Sequence, residues 1–144
     1  MSITYNETKK DLPVKPLYHL FFSAGWSGSE YTPDDDLVSK FNIPFINSTL
    51  VVSAWDDERL VGAVRVLSDQ AIRSIIYDLV VDPEYQGRGI GTELVKRCIA
   101  RFPNSEWLVG CLNDVVGFYE KCGFKIDENC DVFLSIPSIY QRFE

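Results

Sequence analysis

The chain has 144 residues, 46% apolar and 24% charged, with a formal net charge of −7. That length and apolar content suit one globular domain around a single core, and the acidic balance argues against a nucleic-acid-binding surface while leaning toward a cationic partner. No window approaches the roughly 18 consecutive apolar residues of a membrane span, and the first residues lack the basic and apolar regions of a signal peptide, so a cytoplasmic location is expected.

Taken in order, Ile3-Thr4-Tyr5 alternates and reads as a first strand on a sheet edge. Pro16 suits the first turn of a helix whose inner stripe is Leu17, Leu20, Phe21 and Ala24, with Gly25 as its stop. His19 lies off that stripe and reads as a surface residue, although its ordinary titration range would suit a base. Trp26 to Tyr31 form a loop, and Thr32, Pro33 and Asp34 to Asp36 look like the cap, first-turn proline and first-turn acids of a second helix. That helix is expected to reach about Asn42, with Pro44 ending it.

Thr49 to Trp55 and Leu60 to Leu67 read as a hairpin around Asp56-Asp57-Glu58-Arg59. Ser74 to Val81 is a near-continuous apolar run, as expected of a central strand covered on both faces. From Gly89 onward Ile90, Leu94, Cys98 and Phe102 recur at four-residue spacing, widened by Val95 and Ile99, into one helix face. Trp107 to Cys111 is a further strand, parallel to the one before the helix. Asn113 or Asp114 caps a last helix through Val115, Val116, Phe118, Tyr119 and Cys122, which Gly123 ends. Phe124 to Ile126 and Asp131 to Ser135 close the chain as a hairpin. The expected fold is therefore one α/β domain over residues 1–144, a mixed, mostly antiparallel sheet of six to seven strands flanked by about four helices.

The strand Asp78-Leu79-Val80-Val81 runs through a short turn into Gln86-Gly87-Arg88-Gly89-Ile90-Gly91 and then the helix. Alternating glycines at a strand-to-helix junction leave backbone N–H groups uncovered at the positive end of a helix, a cradle for phosphate oxygens. Thr92 stands where a dinucleotide fingerprint needs its third glycine, and no lysine follows as a P-loop requires. The bland alternative is a glycine-rich turn with no ligand. Cys98, Cys111, Cys122 and Cys130 are spaced 13, 11 and 8 apart with a single histidine in the chain, so a Cys/His metal site is not expected. Free thiols in a reducing compartment account for them.

The segment Asp78 to Gly91 resembles the acyl-CoA-binding motif of the GCN5-related N-acetyltransferase (GNAT) family. Phe118-Tyr119-Glu120-Lys121-Cys122-Gly123-Phe124 is similar to that family's second motif. The resemblance implies an acetyl-CoA-dependent N-acetyltransferase, acting without a metal on a primary amine of a small molecule or peptide. It also implies a homodimer through the terminal strands. It would place the pyrophosphate on the N–H groups around Gln86, Gly87, Arg88, Gly89, Ile90, Gly91 and Thr92, with Arg88 either adding a charged contact or lying in solvent. The pantetheine arm would lie along the backbone of Leu79, Val80 and Val81, where one N–H polarises the thioester, with Phe118 packing beside it.

Tyr119 would protonate the leaving thiolate; otherwise it is a core aromatic with a satisfied hydroxyl. Asp78, a charge inside an apolar strand, is the leading candidate for the base, and otherwise a structural acceptor. Glu30 and His19 are weaker candidates. Leu112 stands where the family frequently has an asparagine, so Asn113 reads as a helix cap rather than a cofactor contact. Direct transfer in a ternary complex is expected over an acyl-enzyme on Cys111 or Cys122. The competing reading is a non-catalytic acyl-CoA-binding sensor or scaffold module.

Overall fold

The longest apolar strand-like runs of the sequence make the middle of the sheet. The computed structural model describes residues 2–25, 35–129 and 134–136. Strands β1 (Ile3–Asn6), β2 (Leu50–Asp56), β3 (Arg59–Ser68), β4 (Arg73–Val81) and β5 (Glu106–Val109) form one sheet in sequence order. Neighbours from β1 to β4 pair antiparallel, and β5 joins β4 parallel. Parallel neighbours need a crossover, here the helix α4 (Ile90–Arg101). The other helices are α1 (Val14–Ser23), α2 (Asp35–Ser39), α3 (Ile43–Ile46) and α5 (Val116–Lys121). No helix among the described residues is long and apolar enough to cross a membrane.

Most expected elements form where the pattern places them, and four expectations change. The described residues hold five strands rather than six or seven. Phe124 to Ile126 is not a strand, because the Phe124 N–H is already engaged by the Tyr119 carbonyl at the end of α5; of its expected partner, Asp131 to Phe133 lie outside the described residues. Pro44 opens α3 rather than ending the preceding helix, since a first-turn proline lacks only an N–H that has no helical partner. β4 is central but not covered throughout, with Tyr77 exposed in its middle. The expected loop from Trp26 to Tyr31 and the cap at Thr32 and Pro33 lie outside the described residues.

The sheet buries both faces. On one, Leu50, Val52, Val64, Val66 and Ile76 meet Ile90, Leu94, Val95 and Cys98 of α4. On the other, Val51, Ala63 and Val80 meet Leu17, Leu20 and Phe21 of α1 and Phe45 of α3. Gly62 lets α4 approach closely: a Cβ there would stand 3.2 Å from Leu94 Cδ1 and 3.3 Å from Ile90 Cγ2. Between β4 and β5 the pairing spans only Arg73↔Glu106 to Ile76↔Val109. A chain of hydroxyls, Ser68 to buried Ser74 to Ser105, each step 2.8 Å, ties the paired end. Beyond Ile76 the two strands part.

Leu94 is fully buried, so Leu94→Ala is expected to cost about 3 kcal/mol in urea unfolding. Gly62→Val is expected to cost about 1–3 kcal/mol by overpacking. A Gly62→Val protein as stable as the wild type would show that α4 can lift from β3 freely.

Candidate active site

The parted strands expose β4 backbone in a defined pattern. The β3–β4 register runs Gly62↔Val81, Ala63↔Val80, Val64↔Leu79 and Arg65↔Asp78, then skips to Val66↔Ile76, leaving Tyr77 as the extra residue of a β-bulge. The Asp82 N–H donates to the Val61 carbonyl at 2.8 Å. Antiparallel pairs alternate, so Val80 and Asp78 turn their backbone groups to β3, and Leu79 and Val81 turn theirs away from it. Because the β5 pairing has ended, the Leu79 and Val81 N–H groups face the open wedge. Of the three residues expected to line it, Val80 is committed elsewhere, its backbone to β3 and its side chain to the α1 core. The Val81 carbonyl accepts Gln86 Nε2 at 3.1 Å, so Gln86 holds the turn to the strand.

The glycine-rich turn is braced from below. Asp82 accepts from the Glu84 N–H at 2.9 Å, capping a 3-10 turn over Pro83–Tyr85, and from Arg59 Nη2 at 2.8 Å. Arg59 also reaches Glu84 at 3.1 Å, and the Tyr85 hydroxyl donates to Asp56 at 2.6 Å. Arg88 Nη2 donates to the Glu84 carbonyl at 3.2 Å, and its guanidinium carbon lies 5.1 Å from the Tyr85 ring centre. Gly87 at φ 80° and Gly89 at φ 82° need the left-handed region. The first helical bond of α4 runs from the Glu93 N–H to the Gly89 carbonyl at 3.0 Å. The N–H groups of Gly89, Ile90, Gly91 and Thr92 therefore have no partner among the described residues, in a row at a helix start. Gly91 leaves room for a ring: a Cβ there would stand 3.2 Å from Phe118 Cζ and 3.7 Å from Val81.

Tyr119 is set by how α5 ends. Cys122 is the C-cap and Gly123 has φ 102°. The Gly123 N–H donates to the Glu120 carbonyl at 3.0 Å and the Phe124 N–H to the Tyr119 carbonyl at 3.1 Å, the two bonds of a Schellman motif. The apolar contact that accompanies this motif is the Tyr119–Phe124 ring pair, edge-on at 5.7 Å, with Phe118 edge-on at 5.0 Å on Tyr119 as well. Leu79, Val81, Phe118 and Tyr119 belong to one apolar cluster. Tyr119 is 8% exposed as a residue, and its hydroxyl, which is not a buried orphan, has no hydrogen-bond partner among the described residues. Burial, with smaller contributions from Cys111 and Cys122, pushes its pKa up to about 12. At neutral pH the tyrosine is an un-ionised phenol.

The remaining expected residues fall on either side of this wedge or away from it. Asp78 faces the α1 side with Ala63 and Val80, and it is paired: Arg65 Nε donates to its Oδ2 at 2.5 Å. Its charge in an apolar strand is thus compensated. Arg65 was missed in the sequence, although an arginine and an aspartate interrupting adjacent apolar strands was a legible signal. His19 is exposed on α1, and Glu30 lies outside the described residues. Asn113 does not cap α5: it begins a 3-10 turn over Asn113–Val115, and Val115 occupies the cap position without a side-chain bond.

The thiols divide clearly. Cys98 is fully buried, and burial pushes its pKa up to about 12. Burial raises Cys122 as well, and Cys111 is exposed. Cys130 lies outside the described residues. Among the described residues no cluster suits a metal ion.

The family model described as "Acetyltransferase (GNAT) domain" matches residues 47–126, more than half of the chain. The chain belongs to the GNAT family. It is an acyltransferase of that fold. An uncharacterized N-acetyltransferase, ycf52, of Pyropia yezoensis is 29% identical over 127 residues, covering 83% of this chain and 69% of that protein. A chloroplastic GCN5-related N-acetyltransferase of Arabidopsis thaliana is 36% identical over 76 residues, 49% of this chain and only 29% of that protein. A GNAT acetyltransferase structure from Streptococcus pneumoniae superposes with a TM-score of 0.76 at 24% identity, covering 94% of this chain and 98% of that one.

For this GNAT domain the Tyr119 phenol is expected to ionise near pH 12, read as the difference in phenolate absorbance between the wild type and Tyr119→Phe. The folded pKa is raised above the ordinary value of 10.0. Its contribution to stability is therefore complete below about pH 10 and lost as the pH rises toward 12. A midpoint near 10 would mean that water reaches the ring.

Proposed function

We propose that this domain passes the acetyl group of acetyl-CoA directly to a primary amine of a small molecule or peptide. The observation that carries the reading is the line of unused donors. It runs from the four N–H groups at the start of α4, along the Leu79 and Val81 N–H groups in the wedge, to the Tyr119 hydroxyl, which has no hydrogen-bond partner among the described residues. A diphosphate suits the first, since those donors stand at a helix start and the space a side chain would take at Gly87 and Gly89 is open. An extended amide-bearing arm fits the second, by the same edge pairing that joins strands. Acetyl-CoA supplies the activated thioester.

The chain's own residues do the rest. Gly91 and Phe118 form a wall beside the arm, and an N–H of Leu79 or Val81 is available to stabilise charge on a carbonyl oxygen. Tyr119 hands its proton to the departing sulfur, whose free thiol would have a pKa near 8.5, well below that of the phenol. Proton transfer toward the thiolate is uphill from so weak an acid, so Tyr119 works by proximity and recovers its proton from water. Asp78, with one oxygen uncommitted, is the residue on the acceptor side able to take the amine's proton. Direct transfer is favoured over a thioester on Cys122, because burial raises its pKa and keeps it a thiol.

Free-thiol release from acetyl-CoA across a panel of primary amines tests the reading. Amine-dependent release is expected. CoA binding with no release from any amine would instead support a sensor or scaffold module. Tyr119→Phe is expected to lower kcat by about 10²-fold or more with the affinity for acetyl-CoA nearly unchanged; unaltered turnover would remove Tyr119 from the chemistry. Gly91→Val, which drives a side chain into Phe118, is expected to weaken CoA binding about tenfold by calorimetry, and unchanged binding would place the arm elsewhere.

A further inference from the structure

We propose that Arg65 is a positioning residue for the acceptor amine, holding Asp78 so that one carboxylate oxygen is turned out to the incoming nitrogen. The proposal rests on the amine-acetyltransferase reading above. An arginine that merely staples two strands commonly closes on a carboxylate as a two-bond fork. Here the guanidinium engages Oδ2 alone, through Nε, and Oδ1 accepts no hydrogen bond from the described residues.

The guanidinium is itself held on three sides. Nη1 lies 3.5 Å from Ser48 Oγ, whose own hydroxyl donates to the Pro44 carbonyl at 2.6 Å, and the guanidinium carbon stands 5.1 Å from the Tyr77 ring centre. Ser48 is 3% exposed, and the Arg65 and Asp78 side chains are 17% and 22% exposed. A charge fixed in this way has already lost the freedom that an ordinary surface arginine would lose on docking a ligand. The bulge explains the grouping. The extra residue lets two consecutive side chains, Tyr77 and Asp78, both lie against Arg65, where an unbroken strand would send them to opposite faces.

The placement suits the chemistry. Asp78 faces the α1 side of the sheet and Tyr119 belongs to the α4 side, with Leu79, whose N–H enters the wedge, next to Asp78 in the chain. In the transfer, the amine N–H bond breaks as Oδ1–H forms, and the nitrogen lone pair makes the bond to the acetyl carbon. The C–S electron pair leaves with sulfur, which takes the Tyr119 proton. Exchange with water then returns Asp78 and Tyr119 to their starting states.

The test uses whichever of ethanolamine, phenethylamine, spermidine or a glycine-terminated dipeptide gives the largest thiol release. Arg65→Gln is expected to lower kcat/KM for that amine about tenfold, and to weaken its binding to the CoA-loaded protein by calorimetry, while acetyl-CoA affinity stays within about twofold. If Arg65 acts through Asp78, the double variant with Asp78→Asn falls no further than Asp78→Asn alone. Ser48→Ala, which leaves the ion pair but removes one hold on it, is expected to give a loss of about two- to fivefold and guards against misfolding of the first variant. Losses that multiply in the double variant, or an Arg65→Gln protein with unchanged amine kinetics, overturn the positioning role alone. No release with any amine in the unaltered protein overturns it together with the reading beneath it.

Discussion

The site depends on where β4 and β5 stop being neighbours. Their backbones share a ladder for four residues and then separate, and the open Leu79 and Val81 N–H groups follow from that break. A strand that loses its partner inside a sheet presents donors that folding has left unused, normally a liability. Here the alternation of the β3 ladder decides which donors these are, and the crossover through α4 sets the helix start at the wedge's mouth. The paired end is tied by the serine chain through Ser74, so the opening has one end and one direction.

A second constraint keeps the mouth in place. The turn that carries the glycines has little side-chain mass of its own, and Gly87 and Gly89 are conformationally free in an unfolded chain. Its geometry is borrowed from the β2–β3 hairpin: Asp56 and Arg59, at the ends of that hairpin, grip Tyr85, Asp82 and Glu84. Two segments about 25 residues apart in sequence are thus fixed to each other by charge-assisted bonds. The glycine-rich turn is thereby tied to the hairpin beneath it.

Much of this was legible in the sequence, for reasons that can be named. Apolar runs on either side of a charged turn marked β2 and β3, the four-residue spacing from Ile90 marked α4, and Gly123 marked the end of α5, because each is local. The glycine-rich turn and the tyrosine segment were visible as motifs for the same reason. What was hidden depends on partners distant in the chain. The bulge at Tyr77 shows only in the β3–β4 register, Arg65 matters only through Asp78 across that register, and the Asp56–Tyr85 bond joins residues 29 apart. Phe124 to Ile126 misled because an apolar triplet after a helix satisfies a strand pattern and a C-terminal cap equally well, and the cap bond decided it. Asn113 misled because a polar residue before a helix is a cap only if its side chain reaches the first turn.

The helix that bears Tyr119 has six residues. A segment that short has no persistence of its own in water. Its order comes from one glycine-dependent closure and three aromatic rings leaning on a sheet that must already exist. A helix held only by such tertiary contacts is expected to be among the first pieces of the native state to open. Opening there would leave the sheet, α4 and the glycine-rich turn standing while the phenol swings out of register. The glycine-rich turn and the open strand edge thus rest on the best-packed part of the fold, and the placing of the phenol rests on one of its least self-sufficient pieces.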